Sequence, residues 1–352
     1  MLMAGTMALS MTACGGGGAS DGAAKIGVSM PTQSLQRWNQ DGSNMKEQLE
    51  AAGYEVDLQY AGDNDIPTQV SQIENMIAGG CDALVIAAID GSALTEALKG
   101  ASENNIPVIS YDRLIMNSDA VSYYATFDNY KVGQMQGEYI RDALDLDNAA
   151  GPFNIELTTG APDDNNVNFF FGGAMDVLQP YIDSGKLVVL SGQTEKAQCA
   201  TANWSTEEAQ KRFENIITSV GYGPDSVKLD AVLCSNDSTS YGVQNALQAA
   251  GYTAENMPII TGQDCDKPNV KNLVSGLQSM SVFKDTRTLA DATVKMVDAI
   301  VKGTEPEIND TETYDNGTGI IPSYLCDPVV VTKDNYEEIL IDSGYYTVED
   351  VA

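Results

Sequence analysis

Short apolar runs alternate along this chain with longer stretches whose apolar residues recur every third or fourth position. The runs at residues 25–30, 81–89, 108–111 and 121–127 read as strands, and residues 54–60 alternate in the manner of a further strand. Helices are predicted between them, over residues 38–52, 67–78 and 92–104. Gly53 ends the first, Pro67 occupies the first turn of the second and Ser92 caps the third. A second series follows with no long linker. Its helices are expected over residues 129–144, 165–178, 205–220, 241–250 and from 289 onward, and its strands over 153–158, 187–191, 229–235, 259–262 and 280–283. Ser205-Thr-Glu-Glu208 has the spacing of a capping box, and Met296, Val297, Ile300 and Val301 mark one face of the last helix. Strands alternating with helices at this spacing predict an α/β fold of parallel sheets joined by right-handed crossovers. Without a linker, the two halves are expected to exchange segments across a multi-stranded hinge.

Three of the predicted strands end in charged or amide side chains: Ser110-Tyr-Asp-Arg113, Ser235-Asn-Asp237 and Gly262-Gln-Asp264. Ligands of open α/β sheets bind beyond the carboxyl ends of the strands, so three polar ends point to one small polar ligand held between two sheets. The plainer reading of each Asp or Asn alone is a helix cap.

Composition narrows the chemistry. At 352 residues with 43% hydrophobic content the chain is long enough for two cores. Its formal charge of −31, from 50 acids and 19 bases, disfavours nucleic acid. There is no histidine, no Gly-x-Ser-x-Gly, no phosphate-binding Walker loop and no Cys-x-x-Cys. Binding is therefore expected rather than catalysis. Ligand affinity should be flat between pH 6 and 8 unless a buried carboxylate or lysine is shifted into that window. Asp63-Asn-Asp65 is read as a helix-entry turn rather than a calcium loop, and the spacing of Cys81, Cys199, Cys234, Cys265 and Cys326 suggests no metal site. At the N-terminus an apolar, uncharged stretch ends in Met11-Thr-Ala-Cys14, followed by four glycines. This resembles a bacterial lipobox, which implies cleavage before Cys14 and a lipid on its thiol. No later stretch has the roughly 20 apolar residues that a bilayer span needs.

Further strings occur in order along the chain: Lys25-Ile-Gly27, Gln36-Arg-Trp38, Val70-Ser-Gln-Ile-Glu-Asn-Met76, Val121-Ser-Tyr-Tyr-Ala125, Phe127-Asp-Asn129, Pro162-Asp-Asp-Asn-Asn166 and Phe283-Lys-Asp285. With the three strand ends, they resemble the type I periplasmic sugar-binding proteins from about residue 25 to the C-terminus. The resemblance implies two Rossmann-like lobes joined by a multi-stranded hinge. The first lobe would comprise residues 24–126 and 285–322, and the second 127–284 and 323–352, after a signal peptide at 1–13 and a tether at 14–23. It also implies a monosaccharide of the xylose, galactose or glucose class in the cleft. Arg37 and Trp38 would face the ligand, and Asp112 and Arg113 would bond its hydroxyls. Asn165 and Asn166 would approach from the second lobe, alongside Trp204, Asn236, Asp264 and Lys284.

The chemistry suits those residues. Each sugar hydroxyl both donates and accepts, which matches planar polar side chains, and the axial C–H face packs on an indole. The implied protein is an extracytoplasmic monomer without cofactor. It would deliver sugar by lobe closure to an ABC permease and its ATPase subunit, or, as the alternative, present its closed form to a sensor or chemoreceptor. A transcriptional repressor with the same two-lobed core would need a DNA-binding helix pair and a basic surface, neither of which this acidic chain offers.

Overall fold

A computed structural model describes residues 22–351, so the expected leader and Cys14 lie outside the described residues. The chain runs through β1 (Lys25–Met30), α1 (Gln36–Ala51), β2 (Glu55–Tyr60), α2 (Ile66–Ala78), β3 (Ala83–Ile86), α3 (Thr95–Glu103), β4 (Val108–Tyr111) and β5 (Val121–Phe127). It continues with α4 (Asn129–Ala143), β6 (Phe153–Thr158), α5 (Asn166–Asp183), β7 (Leu187–Val188), α6 (Lys196–Cys199), α7 (Thr206–Val220), β8 (Ala231–Cys234), α8 (Asp237–Ala249) and β9 (Ile259–Ile260). The last elements are α9 (Lys267–Ser275), β10 (Ser281–Phe283), α10 (Thr286–Val301), β11 (Ser323–Cys326), β12 (Val329–Val331) and α11 (Val348–Val351).

The first sheet is wholly parallel, in the order β2-β1-β3-β4-β5-β11. β3 is buried along its whole length, as a run of Ala-Leu-Val-Ile demands. One face of the sheet, with Ile26, Val28 and Val85, packs beneath α1 and α10. The other, with Leu84 and Ile86, packs beneath Ile73 and Met76 of α2 and Leu98 of α3. Each such side chain contributes about 1.5–3 kcal/mol on burial. The second sheet repeats the order as β7-β6-β8-β9, also parallel. In both sheets the order reverses beside the first strand, the place where doubly wound folds bind their ligands. Asp65 caps α2 by accepting from the Thr68 amide at 3.1 Å, which gives Asp63-Asn-Asp65 its structural role.

Four features depart from the sequence-based expectations. α8 begins at Asp237 rather than near residue 241, because Asn236 caps it and its polar first turn is buried. α9 was not expected, since it is short and opens with a proline in its first turn. β10 pairs antiparallel with β12, a ladder too short for periodicity to reveal. β11 pairs with β5, so residues 323–326 belong to the first sheet, and the chain's last crossing lies at about residue 327 rather than 322. All five cysteines among the described residues are free and buried.

Candidate functional site

The polar strand ends of both sheets meet in one cavity. Arg37 and Trp38 stand in the first turn of α1, which follows β1, while Asp112 and Arg113 directly follow β4. From the other side come Asn166 in the first turn of α5, Asn236 after β8, Asp264 after β9 and Lys284 after β10. Two of these positions carry a left-handed backbone, Asp112 at φ 57° and Asp264 at φ 97°, as does Trp204 at φ 55°. Such geometry costs about 1–3 kcal/mol per non-glycine residue, and it persists only where the surroundings impose it. Here it turns two carboxylates and an indole into the cleft. Gly160 makes room for that indole, since a Cβ there would lie 2.1 Å from the Trp204 ring.

Charges pair across the cleft. The Arg37 guanidinium donates to Asp112 Oδ1 and to Asp264 Oδ1, each at 2.9 Å, and its Nε donates to Asp41. Arg37 is 6% exposed, so three carboxylates share one buried cation. Lys284 Nζ lies 3.5 Å from Asp112 and 3.4 Å from Asp264. Burial works to raise the Asp112 carboxyl, but Lys284, Arg37 and Arg113 outweigh it and hold the group down at about 2. Burial also pushes Asp41 up to about 6, against the pull of Arg37, and Tyr111 donates its hydroxyl to that carboxylate at 2.5 Å. Arg113 stacks 4.9 Å from the Trp38 ring centre and forms an ion pair with Asp164, its Nε 3.0 Å from Oδ2. Asp164 in turn accepts from the Trp204 indole N–H at 3.2 Å, so one carboxylate orients an arginine of one lobe and a tryptophan of the other. Asn166 completes the bridge, donating to the Asp112 carbonyl at 2.7 Å.

Nine of the ten predicted ligand residues line this cavity: Arg37, Trp38, Asp112, Arg113, Asn166, Trp204, Asn236, Asp264 and Lys284. The tenth, Asn165, does not. It precedes α5 and accepts from the Asn168 side chain at 3.0 Å, because the first helical turn aims neighbouring residues in different directions. Asn236 lines the cavity and is also the helix cap, its Oδ1 accepting from the Thr239 amide at 3.1 Å. Asp164, Phe170 and Asp266 also line the cavity, and sequence reasoning missed them. Asp164 stood inside a quoted run of Asp and Asn but could not be told from its neighbours. The cavity opens into an outer chamber of about 350 Å³, bounded by residues 31–35 on one side and 203–207 on the other.

A family model described as a periplasmic binding protein domain matches residues 26–305. The chain belongs to the periplasmic binding protein family. Among its relatives is the multiple sugar-binding periplasmic receptor ChvE of Rhizobium radiobacter, 51% identical over 93% of this chain and 92% of that protein. The D-xylose-binding periplasmic protein of Escherichia coli is 36% identical over 92% of this chain and 91% of its own length. In three dimensions the chain resembles an ABC transporter solute binding protein from Clostridium phytofermentans, solved with bound β-D-glucose. That match has a TM-score of 0.90 at 63% identity, covering 93% of this chain and all of the other. These relatives are extracytoplasmic binding receptors, and the family is a non-enzymatic one.

Proposed function

We propose that this periplasmic binding protein is the sugar-capturing component of an ABC importer, and that it encloses a pyranose of the glucose, xylose or galactose class in the cleft. The observation that carries the reading is the joint cavity itself, with planar charged and amide groups from both lobes set between Trp38 and Trp204. The glucose bound to the 63% identical relative supports it. In this reading Arg37, Asp112, Arg113, Asn166, Asn236, Asp264 and Lys284 bond the hydroxyls, and the indoles pack on the apolar ring faces. Residues 24–126 and 285–326 form one lobe and the remainder the other, and the sugar's contacts to both favour closure. The closed form is what a permease would receive.

The test is a thermal-shift and calorimetric screen of the purified chain against D-glucose, D-xylose, D-galactose and L-arabinose. A ligand at 100 times its Kd adds about 2.7 kcal/mol of stability and raises the melting temperature accordingly. A flat melting temperature with every monosaccharide would sink the reading.

Membrane attachment through Cys14 is the second part of the proposal. No helix among the described residues is long and apolar enough to cross a membrane, so an anchor would have to come from the leader region. Cys14→Ser should move the protein from the membrane pellet to the soluble fraction, and a variant that still pellets excludes lipidation at this residue.

A further inference from the structure

We propose that Asp266 is a further sugar-contacting residue of the cleft, and that its proton makes sugar capture tighter as the pH falls. This rests on the sugar-binding reading above. Asp266 occupies the N-cap position of α9, yet its side chain caps nothing. Its backbone amide is held by Asp237 Oδ2 at 2.9 Å, which fixes the residue in place. Asp266 lines the same cavity as Arg37, Asp112 and Asp264, and its Oδ1 is buried without a hydrogen-bond partner. A buried polar atom left unpaired is unfavourable, and a sugar hydroxyl in the cavity supplies the missing partner.

The surroundings decide how this carboxyl titrates. Burial, and then the neighbouring Asp264 carboxylate, push it up to about 7, with Arg37 and Lys284 opposing from across the cavity. Asp237, beneath it, is itself pushed up, chiefly by burial. The Cys265 thiol and the Tyr346 hydroxyl, its other titratable neighbours, are both pushed up by burial and stay neutral. Lys267 on the same helix is engaged with Asp350 at 2.5 Å.

With the lobes apart, water reaches the Asp266 carboxyl and removes the burial that raises it most, so the group returns towards the ordinary carboxylate range even though Arg37, whose pull lowers it, moves away as well. Closing on sugar raises it, and the closed form therefore takes up a proton at any pH between the two values. The sign follows from linkage. Affinity is highest below the open-form value, falls through the window, and levels off above the closed-form value. Between pH 6 and pH 8 the loss is about tenfold. Asp41, the other raised carboxyl facing Arg37, is buried on the core side of α1 beside Tyr111 of β4 in the first lobe, so closure changes its surroundings far less.

The experiment is calorimetry of D-glucose binding to the full chain at pH 6, 7 and 8, in two buffers of different ionisation enthalpy. About one proton should be taken up per sugar at pH 6 and almost none at pH 8, with the tenfold loss of affinity between them. Asp266→Asn, neutral at every pH, should bind with one affinity across the range and take up no proton. Wild-type protein that binds glucose with no slope and no proton uptake overturns the proposal, as does an Asp266→Asn variant that keeps the wild-type slope. Should that variant lose its thermal transition, the wild-type two-buffer measurement decides alone. Absence of glucose binding at every pH is a different result, which overturns the sugar reading and this proposal with it.

Discussion

Replacing Arg37 with alanine is expected to abolish sugar binding and to destabilise the chain by about 3–5 kcal/mol, the usual result of removing one partner from a buried ion pair. Arg37 is the cation shared by Asp41, Asp112 and Asp264. Lys284 remains near Asp112 and Asp264 when Arg37 is gone, but the described structure offers Asp41 no other ion-pair partner. That carboxyl, already raised to about 6 by burial, must then take a proton or stay charged without compensation. Urea unfolding at pH 7.5 measures the loss, and calorimetry with glucose the binding. Arg37→Lys is the control for folding, because a lysine keeps the charge but cannot present the planar fork that reaches three carboxylates at once. A wild-type unfolding midpoint together with wild-type affinity in Arg37→Ala would show that the cation organises nothing.

The second large effect is expected at two further charged groups that line the cavity, Arg113 and Asp264. Arg113→Ala and Asp264→Ala should each weaken glucose binding by about 10- to 100-fold, since either truncation leaves sugar hydroxyls unpaired in an enclosed site at about 1–3 kcal/mol. Arg113 is held by Asp164, by the Trp38 face and by the Ala88 and Ile89 carbonyls at 3.1 and 3.3 Å, so its loss empties a position that no neighbour can fill. Asp264 is held in its strained backbone conformation at φ 97° and pairs directly with Arg37. Both variants should retain a cooperative thermal transition. Near-native affinity in both, measured by calorimetry, would remove these residues from the site.

How far the sequence disclosed this site depends on how local the deciding contacts are. The strand ends at Asp112, Asn236 and Asp264 were legible because a buried strand and its first polar residue are adjacent in sequence. The choice between Asn165 and Asn166 was not, since it is settled by which way the first turn of α5 faces once that helix packs on α4. Asp266 precedes a helix that the sequence did not disclose, and only the folded cavity reveals that its side chain is left over. The expectation of a flat pH response named its own exception, a carboxylate shifted by burial, and Asp266 fits that exception. The parallel sheets followed from the alternating pattern, whereas the pairing of β11 with β5 joins segments that no local pattern connects.

That pairing bears on how the protein reaches its compartment. The edge of the first sheet is completed only when β11 arrives, about two hundred residues after the strand it joins, and α10, which covers α1, is almost as late. Contacts of such long sequence separation form slowly and carry a large closure entropy. A nascent chain therefore has no finished first lobe to offer until nearly its whole length has been made, and before then Tyr124 and Phe127 have no settled burial. A receptor that works outside the cytoplasm must cross a membrane first, and a lobe that cannot close early leaves its N-terminal half extended enough to be threaded through a narrow export channel. The same discontinuity means that residues 24–126 expressed alone would present an open sheet edge and an uncovered helix, a species prone to aggregation rather than a half-receptor.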